Sequence, residues 1–171
     1  MNILVFSDSH GRASNMMEAL RRQVKRPDAV VFLGDGLIDI SYCDVQGAAL
    51  FVVEGNCDYW YRGRTDIQSE KEIIANLGGK RIMMTHGDEY GVKSGLARII
   101  QSAAEKDADI VLFGHTHQFL EKYIPAGENE YGIKLEKPLL LFNPGAAAES
   151  RWGCVEIDER GRVLLSHGRL H

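Results

Sequence analysis

Cysteine is scarce in this chain: Cys43, Cys57 and Cys154 are the only three among 171 residues. An odd, sparse set is a poor disulfide framework and suits a reducing compartment. No Cys-x-x-Cys pair occurs, which argues against a thiolate zinc knot or a dithiol redox centre. Long hydrophobic runs are also missing, and none approaches the ~20 residues that a membrane-spanning helix requires. The apolar stretch 3–6 is interrupted at once by Asp8 and His10, so it does not read as a signal peptide. No run of like charge is long enough for a disordered tail. A basic excess is lacking too: the formal net charge is −4, with both signs scattered along the chain. That argues against a surface built to hold nucleic acid through its phosphates, although a nucleic acid remains admissible as a substrate. These absences point to a cytoplasmic protein without membrane contact.

The apolar fraction is 44%, close to the globular average, so a packed core is expected. Residues 1–7 read as a short buried strand. In 14–26, Met16, Met17, Leu20 and Val24 recur at helical spacing, with Ser14 as N-cap and Pro27 as terminator. Segments 29–33 and 50–53 read as further apolar strands, and strand–helix–strand at this density implies parallel βαβ units. Segments 70–77 and 80–85 flank Gly78-Gly79, a two-residue hairpin signal. From 92 to 106, Val92, Leu96, Ile99, Ile100 and Ala103 form one helical face. Strands are then predicted at 110–113, 119–124, 139–142, 152–157 and 163–166, with a turn over 158–161. No repeat, linker or low-complexity segment divides the chain, so 1–171 reads as one domain. Two sheets packed together with helices outside fit this order.

Polar clusters follow five of the predicted strands. They are Asp8-Ser9-His10, Gly34-Asp35-Gly36, Gly55-Asn56-Cys57-Asp58, His86-Gly87-Asp88 and Gly114-His115-Thr116-His117. In α/β sheets ligands gather at the carboxyl ends of parallel strands, where residues distant in sequence meet. Each cluster alone has an ordinary alternative: a strand-end cap, a turn or a hydrogen-bonded histidine. Their joint occurrence favours a metal site. Four imidazoles, two carboxylates and an amide carbonyl suit manganese, iron, cobalt, nickel or zinc better than magnesium. His167 and His171 lie in the C-terminal tail and are expected at the surface.

These five motifs, in this order over residues 8–117, resemble the calcineurin-like metallophosphoesterase superfamily. Asn143-Pro144-Gly145 is similar to a loop in its small bacterial and archaeal members, and the short chain with Gly-Asn-Cys-Asp is most similar to their phosphodiesterases. The resemblance implies a four-layer α/β/β/α sandwich, two mixed β-sheets flanked by helices. It implies one metal on Asp8, His10, Asp35 and His117, and another on Asp35, Asn56, His86 and His115, with Asp35 bridging. The expected cofactors are two divalent transition-metal ions, manganese first, with nickel, cobalt, iron or zinc as alternatives. The expected reaction is hydrolysis of a small-molecule or nucleotide phosphodiester by a metal-bridging hydroxide. A monoesterase or nucleotide phosphatase on the same centre is the runner-up. A protein-binding scaffold on the same fold and a metal-dependent amidase are further alternatives.

Asp35, Asn56, Asp58 and His86 are the candidate catalytic residues. Asp58 is expected to accept a hydrogen bond from a ligand histidine, His10 or His86, although a turn or cap role fits it equally. Many relatives carry histidine where this chain has Cys57, a position tied to protonation of the leaving group. A thiol matches neutral pH less well, so weaker action on esters with basic leaving groups is expected. Asn56, Cys57 and Arg12 are candidates for holding substrate, and Arg62 and Arg64 could also grip phosphate. Tyr59, Trp60 and Tyr61 are expected to pack over the core; if exposed, they could join two subunits as a homodimer or stack a substrate base.

Overall fold

The computed structural model describes residues 1–61 and 63–170. Strand β1 (Asn2–Phe6) leads through helix α1 (Ala13–Arg21) to β2 (Ala29–Phe32), then through helix α2 (Leu37–Ser41) to β3 (Ala49–Val52). A 3-10 turn at Asn56–Tyr61 follows. Hairpin strands β4 (Glu72–Leu77) and β5 (Lys80–Thr85) precede helix α3 (Ala97–Glu105) and β6 (Ile110–Phe113). The remainder is β7 (Phe119–Ile124), the short pair β8 (Gly127–Glu128) and β9 (Lys134–Leu135), β10 (Leu139–Pro144), β11 (Arg151–Ile157) and β12 (Val163–Arg169). One sheet has the order β12-β11-β1-β2-β3 and the other β4-β5-β6-β10-β7. Both are mixed: β1, β2 and β3 run parallel, as do β5, β6 and β10, while the outer strands pair antiparallel.

Strand periodicity produces the four layers. Ile3, Val5, Val31 and Leu33 point between the sheets and meet Ile82, Met84, Ile110, Leu112 and Phe142. Their sequence neighbours Leu4, Phe6, Val30 and Phe32 face outward onto Met16 and Leu20 of α1 and Leu37 and Ile40 of α2. On the far side Met83, Val111 and Phe113 face Ile99, Ile100 and Ala103 of α3. Strands covered on both faces need apolar residues at every position, which is why their sequences run unbroken rather than alternating. Each fully buried side chain of this kind contributes ~1.5–3 kcal/mol relative to exposure. Leu77 pairs with Lys80 across Gly78 and Gly79, both at positive φ (58° and 77°), as a type I′ hairpin turn demands.

Several boundaries differ from expectation. Helix α1 stops at Arg21, well before Pro27, and Arg12 rather than Ser14 takes its N-cap position without a side-chain bond. Its apolar stripe ends at Leu20, and Val24 is fully exposed, so no packing supports a further turn. Helix α3 starts only at Ala97, because Gly91 (φ 62°) and Gly95 (φ 150°) break the preceding segment, yet Val92 and Leu96 still pack into the same layer. Helix α2 and the β8–β9 pair were not foreseen. Among the described residues no helix is long and apolar enough to cross a membrane.

Candidate metal centre

Strands β1, β2 and β3 in one sheet, and β5 and β6 in the other, end on the same side of the sandwich. Their following loops lace together through the backbone. Asp8 N–H donates to Gly34 O (2.9 Å), His10 N–H to Asp35 O (3.1 Å) and Gly114 N–H to His86 O (3.0 Å). Asp8, His10, Asp35, His115 and His117 all sit at positive φ, between 45° and 65°. Non-glycine residues avoid this region, and strain of ~1–3 kcal/mol per residue is typically held at functional sites. Close approach needs glycine at two points. A Cβ on Gly55 would lie 2.1 Å from Asp35 Oδ1, and one on Gly114 would lie 1.8 Å from Ser7 Oγ.

The side chains converge as two histidine pairs flanking two carboxylates. His10 Nε2 and His117 Nε2 are 3.2 Å apart, and His86 Nε2 and His115 Nδ1 are 3.1 Å apart. Two nitrogens bound to one ion at ~2.0–2.1 Å would be separated by roughly 3 Å, so both pairs fit a shared metal. Asp8 Oδ1 faces His117 Nε2 at 3.2 Å and His10 Nε2 at 3.9 Å. Asp35 Oδ2 faces His86 Nε2 at 3.4 Å and His10 Nε2 at 3.9 Å. Asp8 is fully buried, and its Oδ1 has no hydrogen-bond partner. A buried, unsatisfied carboxylate oxygen costs at least ~1–3 kcal/mol, and a cation between these groups would remove that cost. The other oxygen, Oδ2, accepts from Ser7 Oγ–H (2.6 Å) and His115 N–H (3.0 Å), which aims Oδ1 at the histidines.

The electrostatics suit ligation. Burial pushes Asp35 up, but His86 and the Cys57 N–H outweigh it and hold the carboxyl well below the usual range. Burial pushes His86 down, yet Asp35 and Asp8 leave its pKa raised. His115 is lowered by burial, by the charge of His86 and by Lys93, so its imidazole is neutral and free to ligate at neutral pH. The Cys57 thiol is pushed up to about 11, by burial first and then by Asp35.

The surroundings of the site correct three expectations. Asp58 does not receive a histidine. Its carboxylate accepts four backbone N–H groups: Asp35 (2.7 Å) and Gly55 (2.9 Å) on Oδ2, and Gly36 (2.8 Å) and Leu37 (2.8 Å) on Oδ1. It clamps the loops after β2 and β3, because open backbone donors lie nearer than any imidazole. The orienting partner of His86 is the Leu33 carbonyl, 2.6 Å from Nδ1. His167 is half-buried rather than free at the surface: its ring stacks on Phe142, packs at a tilt against Phe119, and bonds Asn143 O through Nε2 at 3.0 Å. The aromatic cluster does not pack over the core; Tyr59, Trp60 and Tyr61 are 61%, 74% and 39% exposed.

Asn56 is exposed at the start of the 3-10 turn and donates through Nδ2 to Cys57 Sγ at 3.3 Å. Cys57 N–H donates to Asp35 Oδ1 at 2.8 Å. Arg12 and Arg64 are exposed, while Arg62 and His171 lie outside the described residues. Sequence reasoning missed the supports around the centre. Buried Asp39 accepts from Ser9 Oγ–H (2.6 Å) and Gly11 N–H (2.7 Å) and so shapes the loop carrying His10. Asn143 donates to Gly114 O (2.7 Å) and Thr116 Oγ (3.1 Å), and Arg151 donates to His117 O (3.0 Å). Only Asn143, within Asn-Pro-Gly, carried a signal.

Comparison with known proteins agrees with this arrangement. The family model for the calcineurin-like phosphoesterase superfamily domain matches residues 1–158. A curated relative, the probable metallophosphoesterase YsnB of Bacillus subtilis (strain 168), is 32% identical over 146 residues, covering 85% of this chain and 75% of that protein. Among solved structures, vacuolar protein sorting 29 from Cryptosporidium parvum aligns with a TM-score of 0.65 at 16% identity, over 99% of this chain and 98% of that one. An archaeal phosphodiesterase aligns with a TM-score of 0.60 at 20% identity, over 98% and 99%. These two likenesses show the fold. The chain belongs to the calcineurin-like phosphoesterase superfamily. Membership implies divalent metal ions, and the histidine and aspartate groups described above can hold them.

Proposed function

We propose that this protein is a metal-dependent phosphodiesterase with a dinuclear centre. The observation that carries the proposal is the position of Asp35 Oδ2. It faces His10 on one side and His86 on the other, at 3.9 and 3.4 Å, between the two histidine pairs. A carboxylate so placed suits a bridge between two ions, with Asp8, His10 and His117 on one and His86, His115 and Asn56 on the other. Two such ions, when bound, would neutralise phosphate oxygens and acidify a water near neutral pH.

The chain's own groups do the rest. Asp58 and Ser7 hold the carboxylates in register through bonds that leave their metal-facing oxygens free. The Leu33 carbonyl fixes the tautomer of His86 so that Nε2 carries the lone pair. Cys57 lies beside His10 and Asp35, and the exposed side chains of Asn56 and Arg12, from the loops that carry these residues, are assigned to meeting substrate oxygens. A thiol near 11 is a weak proton donor at neutral pH, so solvent supplies the leaving group's proton. The archaeal neighbour is a phosphodiesterase, which favours diesters over monoesters here. The likeness to vacuolar protein sorting 29 raises a second reading, a protein-binding scaffold. The presence in the sequence of all seven candidate ligand residues favours turnover instead.

The test is hydrolysis of bis(p-nitrophenyl) phosphate beside p-nitrophenyl phosphate. Metal-stripped protein is reloaded with manganese, nickel, cobalt, zinc or magnesium, with Asp35→Asn as control. Diester turnover that needs a transition metal and is lost in the variant is expected. Preferred monoester turnover would replace the substrate class. Metal binding without any turnover would move the protein to the scaffold reading.

A further inference from the structure

The 3-10 turn after β3 carries three large aromatic residues in a row, and the chemistry above uses none of them. Tyr59, Trp60 and Tyr61 are all exposed, Trp60 most of all at 74%. Single apolar residues on a surface are ordinary, whereas a contiguous open patch marks a contact site.

The turn fixes where the rings stand. A 3-10 helix has three residues per turn and a rise of ~2.0 Å, so side chains at i and i+3 share a face about 6 Å apart. The six residues Asn56–Tyr61 therefore form three faces. Asp58, 1% exposed, marks the inward face, and Tyr61, the most covered of the rings, follows it there. Cys57 and Trp60 share another face. The Cys57 thiol and the ligand atoms of His10 and Asp35 all lie within 4.8 Å of one another, so this face looks onto the metal centre. Trp60 thus stands one turn beyond Cys57 on the metal-facing side. The Asp58 clamp ties the turn to the loop after β2, which sets Trp60 relative to the centre before any ligand arrives.

Two features identify the occupant. The Tyr59 and Trp60 rings meet edge to face, with centroids 5.2 Å apart at 87°, an arrangement in which one ring braces the other. An open indole face accepts flat rings of many kinds by offset stacking. A protein partner fits less well. Aromatic side chains bury ~150–250 Å² each, so three partly covered rings fall short of the ~800 Å² per partner of a stable interface. One ring on an ester held at the metals can cover Trp60 alone.

We propose that Trp60 is a stacking platform for the substrate's alcohol group: the phosphoesters this protein takes carry a flat aromatic or heteroaromatic ring next to the phosphate. This rests on the phosphodiesterase reading for the place of the phosphate.

The test is calorimetric titration of zinc-loaded protein with methyl-, cyclohexyl-, phenyl- and 2-naphthylphosphonate, whose C–P bond is not hydrolysed. Cyclohexyl and phenyl are close in size and differ in flatness. Phenyl is expected to bind a few-fold tighter than cyclohexyl, and naphthyl about tenfold or more tighter than methyl, the worth of one stack. Trp60→Phe, which keeps a flat face, should retain most of the phenyl-to-cyclohexyl ratio. Trp60→Leu, which keeps apolar bulk, should bring it toward one. A wild-type ratio near one, the same ratio in Trp60→Phe and Trp60→Leu, or no phosphonate binding at the loaded centre would overturn the platform. So would a homodimer that Trp60→Leu dissociates with the ratio unchanged, since the rings would then serve self-association. Diester hydrolysis is scored separately. Ring-selective binding without turnover upholds the platform and removes the phosphodiesterase reading; turnover without ring preference does the reverse.

Discussion

Replacing Asp58 by asparagine separates a structural clamp from a histidine-orienting group. Each carboxylate oxygen accepts two backbone N–H groups, and the side chain is 1% exposed. An amide has one acceptor oxygen, so either orientation turns an NH2 toward two backbone donors. At least two buried donors lose their acceptor. At ~1–3 kcal/mol for each unsatisfied group, a loss of about 3 kcal/mol is expected. For a chain of this size that corresponds to roughly 6–12 °C in Tm. The assay is thermal unfolding of metal-stripped wild type and Asp58→Asn. Stripping matters, because a group that only oriented a ligand would change metal affinity and leave the metal-free Tm alone. A shift below about 2 °C would refute the clamp.

Three further outcomes follow from the same geometry. In the metal-free chain the pKa of His86 is raised by Asp35 and Asp8 against burial, so its stabilisation is complete below the unfolded value near 6.5 and is lost as pH rises through the folded value. Metal-free protein should therefore lose stability above neutrality. Metal affinity, which needs neutral His86, should climb with pH by up to about tenfold per unit, read by competition with a chelating dye; a flat profile would contradict the placement of His86. In Gly114→Ala, a Cβ 1.8 Å from Ser7 Oγ must displace the group that holds Asp8, so metal affinity should drop at least tenfold in equilibrium dialysis; unchanged affinity would contradict that support. Cys57→His introduces a donor matched to neutral pH and should raise kcat on diesters with alkoxide leaving groups about 10²-fold or more, with far less change on p-nitrophenyl esters; equal effects on both would show that proton donation does not limit turnover.

Much of the candidate site was legible because its side chains follow apolar strands, and both halves of that pattern are printed in the sequence. Asp8, His10, Asp35, His86, His115 and His117 do converge. The four layers were legible for a related reason: strands covered on both faces read as unbroken apolar runs. What stayed hidden depends on the backbone. Asp58 resembles any turn aspartate until the loops after β2 and β3 are seen to point their N–H groups at it. Asp39 and Arg151 serve as supports only through contacts spanning 28 to 34 residues, and no local pattern announces such contacts. Helix α3 was overextended because Val92 and Leu96 pack into the helical layer from a segment that Gly91 and Gly95 keep non-helical. The aromatic residues of the 3-10 turn were expected over the core, whereas the turn presents Tyr59, Trp60 and Tyr61 outward.

The central claim is that two ions share Asp35. Anomalous diffraction from crystals soaked in manganese tests it most directly. The expected result is two peaks, one touched by Asp8, His10 and His117 and the other by Asn56, His86 and His115, with Asp35 contacting both. A single peak, or two peaks that Asp35 does not join, would contradict it.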